Sequence, residues 1–245
     1  MKGTSYKGTV NINITHNRLT SNDWRGIQVE SYFNPAQFIR VINNTIVDQN
    51  LQSGCRVVWA YNCTFINNTC SNNGAKGLWI YNSQDIIVLN NTANNNGDYG
   101  FLIEDTHNAN YSQNTAKNNP GDGFDVEDST NIRLVNNTAD SNTGYGFQFD
   151  NVSFSTLFNN TVLNNGKHGI LLTYYSSDNL ITLNTIRGNG WDCIYESPTC
   201  ENNIIENNKC DQPGGGGIPG FQWLISLFGL TTAISLLTGL KPKRE

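Results

Sequence analysis

One interval governs this chain. Gly100-Phe101-Leu102-Ile103-Glu104, Gly123-Phe124-Asp125-Val126-Glu127 and Gly146-Phe147-Gln148-Phe149-Asp150 are copies of one pattern, 23 residues apart. Fourteen residues after each glycine comes Asn-Thr: Asn114-Thr115, Asn137-Thr138 and Asn160-Thr161. A constant period in the twenties means that each copy is one turn of a solenoid, since no copy alone can bury its apolar face and only stacking makes a core. The asparagine recurs at Asn17, Asn44, Asn68, Asn91, Asn114, Asn137, Asn160, Asn184 and Asn208. The glycine recurs at Gly26, Gly54, Gly77, Gly100, Gly123, Gly146 and Gly169, with Cys193 in its place in the last copy.

Within a copy, the first and third places after the glycine are apolar (Leu78 and Ile80, Phe101 and Ile103, Phe124 and Val126, Phe147 and Phe149). The places between are mostly polar (Gln28, Trp79, Leu102, Asp125, Gln148, Leu171). This period of two marks a short strand with one face inward, and the i, i+3, i+4 pattern of a helical array is missing. A second strand is expected around Ile86, Ile132 and Ile204, and a third near Ala93, Ala116, Ala139 and Val162. Three short strands per turn make a triangular coil.

Asparagine supplies the corners. Besides the file from Asn17 to Asn208, a second runs through Asn22, Asn50, Asn73, Asn96, Asn119, Asn142, Asn165 and Asn189. A third holds Asn11, Asn62, Asn108, Asn131, Asn179 and Asn203, with Asp85 in register. Asparagine tolerates the left-handed backbone of a tight corner, and its amide can bond its own image one rung away, at roughly 4.8 Å spacing.

These motifs (Asn-x-Ile, Asn-Asn-Thr, Gly-Ile/Phe-x-Val/Ile, Ser-x-x-Asn), over about residues 8–210, resemble the repeat of NosD-like and carbohydrate-binding/sugar-hydrolase β-helix proteins. The resemblance implies an all-β, right-handed, single-stranded parallel β-helix of about nine coils of ~23 residues. It is specific for fold and weak for activity, because function lives in sites grafted on a fold. The copper association of the NosD name finds no Met/His/Cys cluster here.

Three segments are expected: the repeat domain 1–210, a glycine-rich linker 211–218 and a membrane or sorting segment 219–245. Phe221 to Leu240 carries no charge and is long enough to cross a bilayer, and Lys241, Lys243 and Arg244 follow. Pro219-Gly220-Phe221, the apolar run and the basic tail resemble the archaeal PGF-CTERM sorting signals, which implies a sorting protease as partner and a lipid anchor. A plain transmembrane helix satisfies the physics equally well. Either way the positive-inside rule puts the β-helix outside the cell. Met1 to Val10 has no secretory signal, so the expectation is a chain that begins inside a longer reading frame or one capped by Met1 to Tyr6.

Charged residues are 14% of the chain, the net charge is −5, and no basic patch precedes the last five residues, which excludes a nucleic-acid binder. Cys55, Cys63 and Cys70 fall in inward registers and read as buried thiols. Cys193, Cys200 and Cys210 share the last coil, where one disulfide, Cys193 with Cys200, fits an oxidising compartment.

The chemistry-bearing candidates lie on the outward places of the first strand. Glu104, Glu127 and Asp150 occupy the fourth place on consecutive coils, and Asp125 stands two residues before Glu127. Neighbouring rungs put such carboxyls roughly 5 Å apart, where they repel unless a proton or cation intervenes. A Ca²⁺ site at Glu104, Asp125, Glu127 and Asp150 is one reading, and acid/base work on a sugar chain by the same four is another. Solubilising an exposed sheet face is the bland alternative, with about half the weight. Trp79 and Tyr81, one coil earlier, are candidate sugar-stacking residues, with Trp59 and Tyr61 on the coil before. His107 and His168 read as turn residues. No Arg or Lys sits where a lyase would place its base, and the Asp-Pro-His-Glu of alginate epimerases and the Asn-Thr-Asp and Gly-His-Gly of polygalacturonases are absent. The sequence therefore points to a surface protein that binds polysaccharide, with hydrolase, lyase or epimerase activity open. A structural or adhesion protein without catalysis is the alternative.

Overall fold

The computed structural model describes residues 11–31, 34–45 and 50–211. It is an all-β parallel solenoid of about eight turns, and no helix occurs among the described residues. The predicted transmembrane helix, linker and Met1 cap lie outside them.

Each complete turn uses three strand positions, as in Phe124–Glu127, Thr130–Val135 and Thr138–Asp140. The first two belong to one 18-stranded sheet and the third to a six-stranded sheet, with every pairing parallel. The longest strand, Phe101–Ser112, runs through both of the first two positions. Its register matches the period read from the sequence: Phe101 pairs with Phe124 and Leu78, and Phe124 with Phe147.

Constant turn length puts like above like. Phe101, Phe124 and Phe147 form one interior column, with ring centroids 4.6 and 4.7 Å apart and planes within 5° of parallel. Leu78, Ile80, Ile103, Val126 and Phe149 continue this wall of the core. Cys55, Cys63 and Cys70 are buried, as their registers predict. The glycine that opens each first strand lies against the third-strand wall. A Cβ on Gly123 would meet the Ala139 Cβ at 2.8 Å and the Gly146 carbonyl oxygen at 2.8 Å.

That close approach explains a correction to the disulfide. The bond joins Cys193 to Cys210, not to Cys200. Cys193 replaces the glycine, so its Cβ points across to the third strand, where Cys210 pairs with Ile186. Cys200 sits in the preceding loop with a free thiol.

Two of the three asparagine files are internal ladders. The Asn114 backbone N–H and amide both donate to Asn137 Oδ1, at 2.9 and 3.0 Å, and the same amide also donates to the Val88 carbonyl at 2.9 Å. Asn119 repeats the arrangement with Asn142 and the Ala93 carbonyl. Among the described residues the left-handed residue is the one before the ladder asparagine, such as Asn136 (φ 57°) or Asn118 (φ 55°). Each corner therefore needs an exposed residue that tolerates positive φ and then a buried amide that satisfies the turn's backbone. The third file divides. Asn11, Asn62, Asp85, Asn108 and Asn131 are left-handed corner residues, but that column continues through Phe154, Asp178 and Asn202. Asn179 and Asn203 stand one place further on and bond inside, where Asn179 Oδ1 accepts the Ser155 N–H at 2.9 Å. The same slip leaves Ile204 exposed and turns Ile205 toward the core.

Candidate functional site

The outward side of the first sheet carries two columns. The second place after the glycine runs through Arg56, Trp79, Leu102, Asp125, Gln148 and Leu171. The fourth runs through Val58, Tyr81, Glu104, Glu127, Asp150 and Thr173. Register thus confirms Glu104, Glu127 and Asp150 as rung neighbours, with Asp125 beside them. It corrects the aromatic pair of the preceding coil: Arg56 and Val58, not Trp59 and Tyr61, align with Trp79 and Tyr81.

A third column borders these two at the corner before the glycine. Lys76, Tyr99, Asp122, Tyr145, His168 and Asp192 stack one rung apart, each carbonyl accepting the N–H of the glycine one coil earlier. Corner side chains and strand residues together enclose the second-place column. Leu102, Leu171 and Asp125 are buried, and Asp125 is only 1% exposed. The expectation that Asp125 projects into solvent beside Glu127 is therefore overturned. A carboxyl placed for solubility stays in water, and this one does not.

Burial sets its chemistry. Desolvation, followed by the charges of Asp122 and Glu127, pushes the Asp125 carboxyl up to about 9. It is therefore a neutral acid near neutrality, hydrogen-bonded to Glu127. Its Oδ1 is buried without a partner. Burial raises Glu127 as well, against the lowering effect of the bond from Asp125. Asp122 accepts the Tyr145 backbone N–H. Burial lifts Asp122 to about 6, although that bond and Lys167 act in the opposite sense. Asp150 is raised by burial and then by Asp128. The Tyr99 phenol, raised by burial and by Asp125, Asp122, Asp98 and Glu127, stands over the set, and Tyr145 flanks it beside Asp122. Proton sharing relieves the repulsion predicted for these carboxyls. Among the described residues no group of three or more His, Cys, Asp or Glu side chains converges as metal ligands would.

Trp79 is not the free stacking surface expected. It is half-buried, its indole N–H donates to Glu104, and Arg56 lies over its ring at 4.4 Å with Lys76 at 5.4 Å. Arg56 and Lys76 are themselves paired with Glu30 (3.2 Å) and Asp98 (2.8 Å). Tyr81 remains exposed. At the other end of this face is an aromatic group whose stacking the repeat period does not reveal. His168 stacks between Tyr145 (5.8 Å) and Tyr195 (5.0 Å), and Trp191 stands edge-on to both Tyr145 and His168. Lys167 lies 4.5 Å from the Tyr145 ring. Burial lowers the His168 pKa, against the pull of Asp192, and so favours neutral imidazole. His168 is thus part of a ring stack and not a simple turn residue, and His107 lies within a strand, bonded to Thr130 at 3.0 Å. The signal for the corner column was present: Tyr99, Asp122, Tyr145 and His168 keep the 23-residue spacing.

With parallel coils, internal ladders and an acid-lined outer face, the chain is a right-handed parallel β-solenoid. It belongs to the family described as "Right handed beta helix region", which matches residues 2–139 and 112–219. No curated protein matches it. Several solved structures share the fold. A mutant of the periplasmic alginate epimerase AlgG aligns with a TM-score of 0.73 at 16% identity, over 81% of this chain and 50% of that one. The A-module of the Azotobacter vinelandii mannuronan C-5 epimerase AlgE6 gives 0.67 at 16%, over 84% and 59%. The catalytic unit of a thermostable GH87 α-1,3-glucanase from Streptomyces thermodiastaticus gives 0.66 at 14%, over 83% and 46%. The chain spans about half the length of these proteins.

Proposed function

We propose that this protein binds a polysaccharide along the outer face of its first sheet, and that Asp122, Asp125 and Glu127 exchange protons with the bound chain. The observation that carries this reading is Asp125: a buried, neutral carboxyl bonded to a second carboxyl and left with an unpartnered oxygen. Titratable groups shifted by burial and by each other are what acid/base chemistry at neutral pH needs. Glu104 and Asp150, one rung to either side of Glu127, extend the acidic wall, with Tyr81 and Trp79 at one end. The names of the structural neighbours, alginate epimerase, mannuronan epimerase and α-1,3-glucanase, support a polysaccharide as partner.

Retention in polysaccharide-loaded native gels, with mass spectrometry of the recovered glycan, tests the reading. Tyr99→Ala is expected to lose retention. Glu127→Gln is expected to keep it while abolishing any change in the glycan. A wild-type protein retained by no polysaccharide ends the proposal. The apolar run from Phe221 to Leu240, with Lys241, Lys243 and Arg244 after it, supports attachment at a cell surface. Protease accessibility of the β-helix on intact cells is the corresponding measurement.

A further inference from the structure

Resting on the reading that the outer face of the first sheet holds a polysaccharide, we propose that its ligand is an uncharged glycan recognised through hydroxyl donors, and that polyuronates are excluded. Glu104, Asp122, Asp125, Glu127 and Asp150 line consecutive rungs. The ionised carboxylates of this set only accept hydrogen bonds and the neutral Asp125 has a single proton to give, whereas a sugar hydroxyl both donates and accepts. A neutral ring brings several donors to this wall of acceptors. A uronate ring replaces one of them with an anion that has nothing to donate and is repelled by every ionised neighbour.

The cations near this face already have partners. Arg56 and Lys76 pair with Glu30 and Asp98 and rest against Trp79 at one end of it. Lys167 lies against the Tyr145 ring, where its charge acts on Asp122. Among the described residues no ion pair reaches Glu104, Asp125, Glu127 or Asp150.

Asp125 supplies an independent pointer to a donor-bearing ligand. Its side chain is 1% exposed and its Oδ1 has no hydrogen-bond partner in the protein. Buried polar atoms left this way are uncommon in folded proteins and call for a partner. The exposed rings of Trp191 and Tyr195 at the far end offer faces of the kind that lie against the C–H side of a pyranose.

The test is titration calorimetry of the full chain, in EDTA, with neutral gluco-, manno- and galacto-oligosaccharides and with size-matched oligoalginate and oligogalacturonate. Saturable binding of at least one neutral oligosaccharide is expected, nearly independent of salt, with the uronates at least about tenfold weaker at low salt, where like charges are least screened. That gap should narrow in the Glu127→Gln/Asp150→Asn double variant, which removes repulsion. If a uronate oligomer binds tighter than every neutral one, this inference falls while the polysaccharide reading stands. If neither class binds, both fall.

Discussion

Replacing Asn137 with alanine tests the internal ladder, on which the placement of every outer residue depends. Asn137 is 1% exposed. Its Oδ1 accepts from the Asn114 N–H at 2.9 Å and from the Asn114 amide at 3.0 Å. Its own amide donates to the Tyr111 carbonyl at 2.9 Å and to Asn160 Oδ1 at 3.2 Å. Some partners keep other bonds. The Asn114 amide still reaches the Val88 carbonyl, and Asn160 Oδ1 still accepts the residue-137 N–H. The Asn114 N–H and the Tyr111 carbonyl lose the bonds described here, at a corner where Asn114 and Asn137 are both buried. At ~1–3 kcal/mol for each buried polar group left unmade, the variant should lose about 2–6 kcal/mol. That is a large share of the ~5–15 kcal/mol of a typical domain. Urea unfolding followed by far-ultraviolet circular dichroism measures it. Asn137→Asp, which keeps both acceptor bonds, should fall between the two. A loss under about 1 kcal/mol in Asn137→Ala would mean that the amides fill space without satisfying the corner.

Two further outcomes follow from the same geometry. Asp125 titrates at about 9 when folded and near 3.9 when unfolded, so the folded state holds a proton through that window and its stability falls as pH rises across it. Asp125→Asn cannot titrate, so it should flatten this slope and exceed wild type at pH 8 by on the order of 2 kcal/mol; parallel stability profiles for the two proteins would refute the assignment. A Cβ at position 146 would lie 2.3 Å from Val162 Cγ1 and 2.6 Å from the Gly169 carbonyl oxygen, so Gly146→Ala should cost about 1–3 kcal/mol by overpacking. Thermal melting checks this, and an unchanged midpoint would show that the two walls can part.

What the sequence alone determined is the axial order of the molecule. When every coil has the same length, residues one period apart must lie above one another. The Phe101, Phe124 and Phe147 column, the two asparagine ladders and the rung sequence Glu104, Glu127, Asp150 could therefore be read before any coordinates. Where coil length changes by one residue, around Tyr174 and Tyr175, both at positive φ, the same reasoning slips and misplaces Asn179 and Asn203. Lateral relations were decided only by the tertiary structure. How far the corner column of Tyr99, Asp122 and Tyr145 closes over the strand beside it, and hence that Asp125 is buried and neutral, depends on backbone curvature and side-chain direction that a period of 23 does not encode. The pairing of Cys193 with Cys210 has the same origin, since it requires knowing that the glycine position faces the third strand across the coil.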